Sequence, residues 1–170
     1  MTLESANYAG RRLDRGFTLI EFIIALAVLS VLLVFSMPML TELIVTGQVR
    51  SAAMDIYGSM AFARSEAIKR NTEVTVSPNG GDWKNGWTVA AADSAATLAA
   101  HDALPAKLDA LPGAAITYTR DGRLVAGADF VLNVNVSGTT NVAMRCVTVR
   151  ASGQPNVRID KNRDGNCENG

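Results

Sequence analysis

Apolar positions are unevenly spread along this chain, and their spacing changes twice. Residues 22–41, FIIALAVLSVLLVFSMPMLT, form a run of 20 residues without a charge. About 20 apolar residues carry a helix across a bilayer, and a helix apolar on every side is out of place in a small water-soluble domain. The run is therefore expected to be a membrane-inserted helix. Beyond it, Val45, Val49, Ala52, Ile56, Met60, Ala63 and Ala67 recur at steps of three and four. This period predicts that the helix continues with one apolar face packed on something else. Gln48, Ser51, Asp55, Ser59 and Glu66 fall on other faces, and Glu66 with Arg70 makes a favourable i,i+4 pair. Asn71 suits a helix end, and Gly47 and Gly58 are candidate bends.

After Asn71 the period falls to two. Glu73–Ser77 alternates like a strand, and Pro78-Asn79-Gly80-Gly81 is turn material. Trp87–Ala91 reads as the next strand. Residues 94–113 are Ala-rich with Pro105 and Pro112, and read as a long loop or a short helix. Ile116–Thr119, Asp121-Gly122 and Leu124-Val125 predict a hairpin. Phe130–Val136, Val142–Val149 and Val157–Ile159 complete the strands. A long helix followed by short strands with few crossovers is an α+β fold, the helix packed on an antiparallel sheet.

Composition narrows the chemistry. The 170 residues carry 16 basic and 16 acidic side chains, a balance that does not suit a nucleic-acid coat. One histidine and two cysteines leave no room for a His-rich metal cluster or a Cys₄ zinc site. No GxxxxGK[ST] or GxGxxG loop is present, and no nucleophile has an acid–base partner nearby in sequence. These absences argue against an enzyme, and no resident cofactor is expected.

The N-terminal segment is polar, with Arg11, Arg12 and Arg15 before the apolar run. Those arginines favour the cytoplasmic side, leaving the C-terminal bulk outside the inner membrane. A cleavable secretory signal fits poorly, because Ser36-Met37-Pro38-Met39 is no small-x-small site. A plain signal anchor leaves Glu21 unexplained, since a carboxylate in hydrocarbon costs about 2.5–3.5 kcal/mol. Cleavage between Gly16 and Phe17 supplies a partner: a new α-amino group, mostly protonated near neutral pH, on the same helix face as Glu21.

Arg15-Gly16-Phe17-Thr18-Leu19-Ile20-Glu21 resembles the class III signal of type IV prepilins and type II secretion pseudopilins. The resemblance implies that a prepilin peptidase cuts after Gly16 and N-methylates Phe17. It also implies that Glu21 serves assembly, and that Pro38 occupies a position where many pilins bend. Ala63–Asn71 resembles a segment of FimT/FimU-type minor pilins, as do Ile116–Tyr118 with Asp121–Arg123 and Cys146–Val149 with Ser152-Gly153. General secretion pathway protein H pseudopilins share that domain. The implied organisation is a leader at 1–16, a transmembrane assembly helix at 17–41, its amphipathic continuation at 42–71 and a periplasmic β-rich domain at 72–170. The implied role is a minor pilin that helps initiate or cap a type IV pilus. The alternatives are the H pseudopilin of type II secretion and, from a different class, a DNA-binding receptor at a pilus tip. The implied partners are the peptidase, the inner membrane before assembly, and other minor pilins or pseudopilins of the filament.

Three features of the rest bear on ligands. Cys146 and Cys167 can form a disulfide in an oxidising compartment, with two free thiols as the alternative. Asp160, Asn162 and Asp164, with Gly165, match the DxNxDG start of a calcium loop. Glu168 stands at its ninth position, and the twelfth would lie beyond Gly170, so a complete EF-hand is not expected; such clusters are also ordinary turn chemistry. Residues 145–170 carry five positive and three negative charges. Some FimT-like proteins bind DNA through Gly-Arg-x-Arg; here Gly153–Arg158 lacks the first arginine and is expected to place Pro155 in the turn, which counts against DNA. Trp83 and Trp87 are either a contact surface or core, and His101 is expected on an exposed loop.

Overall fold

The computed structural model describes residues 16–109, 111–136, 138 and 141–167; within its long helix the side chains of residues 34–39 lie outside that description. Residues 1–15 of the expected leader at 1–16 therefore fall outside it, as do the side chain of Pro38 and the whole of Glu168. The chain divides into two compact units, Met1–Pro38 and Met39–Gly170.

Helix α1 (Leu19–Arg70) runs unbroken through Gly47 and Gly58. Its start is capped by Thr18. The hydroxyl of Thr18 accepts the backbone N–H of Glu21 at 3.3 Å, and its carbonyl accepts Phe22 N–H at 3.1 Å. Thr-x-x-Glu is the sequence form of a capping box, and the carboxylate suits the positive end of the helix dipole. At the other end Asn71 adopts φ 53°. Thr72 N–H then reaches Ala67 O at 3.2 Å and Asn71 N–H reaches Ile68 O at 3.3 Å, the paired bonds of a left-handed helix stop.

Among the described residues seven strands follow: β1 (Val74–Pro78), β2 (Trp87–Ala91), β3 (Thr97–His101), β4 (Ile116–Tyr118), β5 (Phe130–Val134), β6 (Arg145–Val149) and β7 (Pro155–Ile159). They form two antiparallel sheets, ordered β3-β2-β1-β4 and β5-β6-β7, where the sequence suggested one. The segment expected as a loop or short helix holds β3. Thr97-Leu98-Ala99-Ala100 has little strand propensity of its own, and its backbone is held by the ladder to β2. The expected hairpin at 116–125 is partial. Its turn closes through Gly122 N–H to Thr119 O at 2.7 Å, but the return arm touches β4 only through the Tyr118–Leu124 bridge, and β4 pairs with β1.

The seven apolar residues from Val45 to Ala67 are all buried. They share one core with Val74, Val76, Val89 and Tyr118 of the first sheet and Leu132, Val134, Val147 and Val149 of the second. Strand alternation produces this: Thr75, Thr88 and Thr117 turn partly outward between buried neighbours. Trp83 and Trp87 are core, their rings 5.8 Å apart, and Trp87 Nε1 donates to Ser59 Oγ of α1 at 2.8 Å.

Two predictions come from the packing. Gly153, at φ +80°, lies under the 119–123 turn, where a Cβ would stand 1.8 Å from Gly122 O. Gly153→Ala should lower the denaturant midpoint by an amount equivalent to about 2–4 kcal/mol, because backbone must move. Glu66 accepts from Arg70 Nε at 2.7 Å and Lys69 Nζ at 3.0 Å, and these bonds, Arg70 first, hold its pKa below the ordinary carboxylate value. Stability from this group is complete above the unfolded-state pKa and is lost as pH falls through the lower folded-state value. Glu66→Gln should therefore be less stable than wild type at neutral pH, and the gap should close on acidification into that range, as followed by circular dichroism melts.

Candidate functional site

Gly16, Phe17 and Thr18 precede the helix in exposed chain without regular secondary structure, and Phe17 leaves 82% of its surface open. Glu21 sits in the first turn of α1, also exposed. The large apolar side chains from Leu19 to Leu33 are exposed as well. Contiguous apolar surface of this extent marks a membrane or partner contact. Among the described residues no helix is long and apolar enough to cross a membrane; the uncharged run includes residues 34–39, whose side chains lie outside the description. Sequence reasoning missed Thr18 as the cap of α1, although the Thr-x-x-Glu spacing marks it.

Cys146 and Cys167 form a disulfide with Cα atoms 6.1 Å apart. It joins β6 to the tail and buries both sulfurs beside Met144. Asp160 directly follows β7, and its buried carboxylate accepts Gly165 N–H at 2.9 Å and Asp164 N–H at 3.3 Å. Asp164 accepts Asn166 N–H at 2.8 Å and Asn162 Nδ2 at 2.7 Å. The motif residues are thus brought together, and their oxygens hold backbone amides, which folds the tail back toward β6. Among the described residues no group of three or more His, Cys, Asp and Glu is placed to hold a metal ion.

Arg158 and Arg150 stand exposed on the outer face of the second sheet. With Asp129, Thr148 and the disulfide they line a cavity of about 270 Å³. Pro155 is not in the turn as expected; it opens β7 opposite Val149. The ring there fixes an extended φ, and an edge strand tolerates the missing N–H.

His101 is also placed differently from the expectation. It ends β3, its ring stacked on Trp87 at 4.1 Å with only 6° between planes, and Nε2 lies 3.7 Å from Asp55 Oδ2 on α1. Tyr118 is buried in the core; burial pushes its phenol pKa up, with the Arg64 charge partly opposing.

Together these features define a pilin-like protein: a capped apolar helix start, a long helix whose second part carries the domain core, and antiparallel sheets closed by a tail disulfide. Residues 52–153 match the family model of the type II transport protein GspH, and residues 11–37 match the prokaryotic N-terminal methylation motif. The chain belongs to the GspH family. Two crystal structures of the Pseudomonas aeruginosa PAO1 type IV minor pilin FimU share the fold. One gives a TM-score of 0.56 at 24% identity over 66% of this chain and 88% of that one. The other gives 0.54 at 24% identity over 64% and 90%. No curated protein matches the chain in sequence.

The disulfide yields a direct prediction. Reduction, or Cys167→Ser, should lower the stability of the domain by about 3 kcal/mol through the freed loop. Denaturation with and without reductant measures this, and thiol labelling of the oxidised, denatured protein should find no reactive cysteine.

Proposed function

We propose that this chain is a minor pilin, a structural subunit that helps initiate or cap assembly of a type IV pilus. The observation that carries the proposal is the join of an N-terminal methylation motif at 11–37 to a GspH-family domain at 52–153 through one continuous helix. In this reading a prepilin peptidase removes Met1–Gly16 and methylates Phe17. The helix from Phe17 holds the subunit in the inner membrane as a single pass, with the domain in the periplasm, until it moves into the filament beside other pilins. Among the described residues nothing lies within 4 Å of a Cβ built at Gly16, so the fold does not require glycine there. A protease that must fit the chain at that point gives the glycine a reason.

Glu21 has the second role. In a filament of packed apolar helices its carboxylate needs a positive partner, and the α-amino group of a neighbour's Phe17 supplies one. The capping at Thr18 fixes Glu21 in the first turn of its own helix, four residues from its own Phe17.

Intact mass and fractionation test this reading together. The mature chain should have 154 residues and a methylated N-terminus. Gly16→Val should keep its leader. Glu21→Val should be cut normally and stay in the membrane, and should enter sheared filaments at roughly a tenth of the wild-type level or less. An uncut chain in peptidase-positive cells overturns the processing step. Equal incorporation of Glu21→Val overturns the role of the carboxylate. Loss of protein secretion with pili intact, on deletion of the whole chain, replaces the pilus with the secretion machinery.

A further inference from the structure

His101, the only histidine of the chain, faces Asp55 where the end of β3 meets α1. Its ring is fixed from two sides. It lies flat on Trp87, and its Nδ1 stands 2.7 Å from the backbone carbonyl of Asp102. A carbonyl oxygen only accepts, so in the neutral ring the proton sits on Nδ1. Nε2 is then a bare lone pair, and 3.7 Å separates it from Asp55 Oδ2.

Two acceptors at that distance make no hydrogen bond. They make a place for a cation. Asp55 is steadied from its own helix, where Ser51 Oγ donates to Oδ2 at 3.4 Å. The side chains stay accessible, His101 by 35% and Asp55 by 43%. Both open into a groove of about 390 Å³ between α1 and residues 101–105. Among the described residues no lysine or arginine lines that groove or pairs with Asp55, and Gln48 Oε1, in the groove wall, finds no donor.

We propose that His101 Nε2 and the Asp55 carboxylate bind one divalent transition-metal ion of the zinc class, and that the ion pins β3 to α1. An imidazole nitrogen with a carboxylate oxygen suits zinc and its late first-row neighbours. Bonds of about 2.0–2.2 Å at a tetrahedral centre set the ligand atoms about 3.4 Å apart. The observed 3.7 Å has to close by only about 0.3 Å, within reach of a half-exposed aspartate. Ligating imidazoles donate their second N–H to a carbonyl or carboxylate, and ligating carboxylates are themselves hydrogen-bonded. Asp102 O and Ser51 Oγ fill those two supporting places. Water from the groove takes the remaining positions. β3 has little strand propensity of its own, so a tie to the helix constrains the element that most needs one. The site goes beyond the pilin reading, since neither cleavage after Gly16 nor assembly through Glu21 uses it.

Zinc chloride titrated into the full chain in detergent micelles, without a histidine tag, tests the proposal. One ion should bind per chain. Two protein ligands in place of four should leave a dissociation constant of about 10 µM. With one histidine, a long-range proton–nitrogen NMR spectrum holds a single imidazole. It should show the Nδ1–H form, and zinc should move the Nε2 signal. Asp55→Asn should weaken binding about tenfold or more. His101→Phe, which keeps a ring on Trp87, should abolish it. Asp164→Ala should leave it unchanged, which separates this site from the carboxylates of the tail. Free zinc at about 100 µM should slow amide exchange in β3 about tenfold in wild type and leave it unchanged in His101→Phe. Full-strength binding to Asp55→Asn or His101→Phe overturns the proposal, as does an Nε2–H ring or no saturable binding below about 1 mM. Binding without slower exchange in β3 overturns the pinning. If His101→Phe fails to fold, Asp55→Asn and the NMR spectrum decide.

Discussion

Val49, Ile56 and Met60 leave no surface to water, and the positions of both sheets follow from what covers them. Each such side chain contributes about 1.5–3 kcal/mol by leaving water. The contribution is realised only if strands from both sheets close over the same stripe. Val76 and Val89 do so from one side, Val134 and Val149 from the other. The sheets share no ladder among the described strands; they are joined into one core over α1 and by Trp83, which packs on both Trp87 of β2 and Phe130 of β5. Deleting atoms from this stripe loosens both sheets at once, whereas a change on the outer face of either is local.

This dependence explains what was legible. A stripe with a period of 3.6 residues is a strong signal, and every position read from it is buried. β1, β2, β5 and β6 were legible within a few residues, because their β-branched residues alternate with polar ones. β3 was hidden: alanine is a helix former, and only the pairing of Ala99 with Val89 and of His101 with Trp87 makes it a strand. His101 in turn looked like loop, since nothing in sequence links it to Asp55 or Trp87. The disulfide was expected from the cysteine pair; the bonds of Asp160 with Gly165 and Asp164, which turn the tail back toward β6, had no such signal.

The tail disulfide also has a mechanical side. Cys167 is tied to Cys146 across a sequence separation of 21 residues, with β7 and its turn inside the loop. A pull on the tail is passed through two sulfur atoms into β6, the central strand of its sheet, and bypasses the edge strand. Peeling β7 would otherwise release slack one residue at a time. The bridge withholds about 70 Å of extended chain from any such stretch. Under load this end of the domain therefore behaves as a clasp: it stays short until β6 itself is torn out of the sheet.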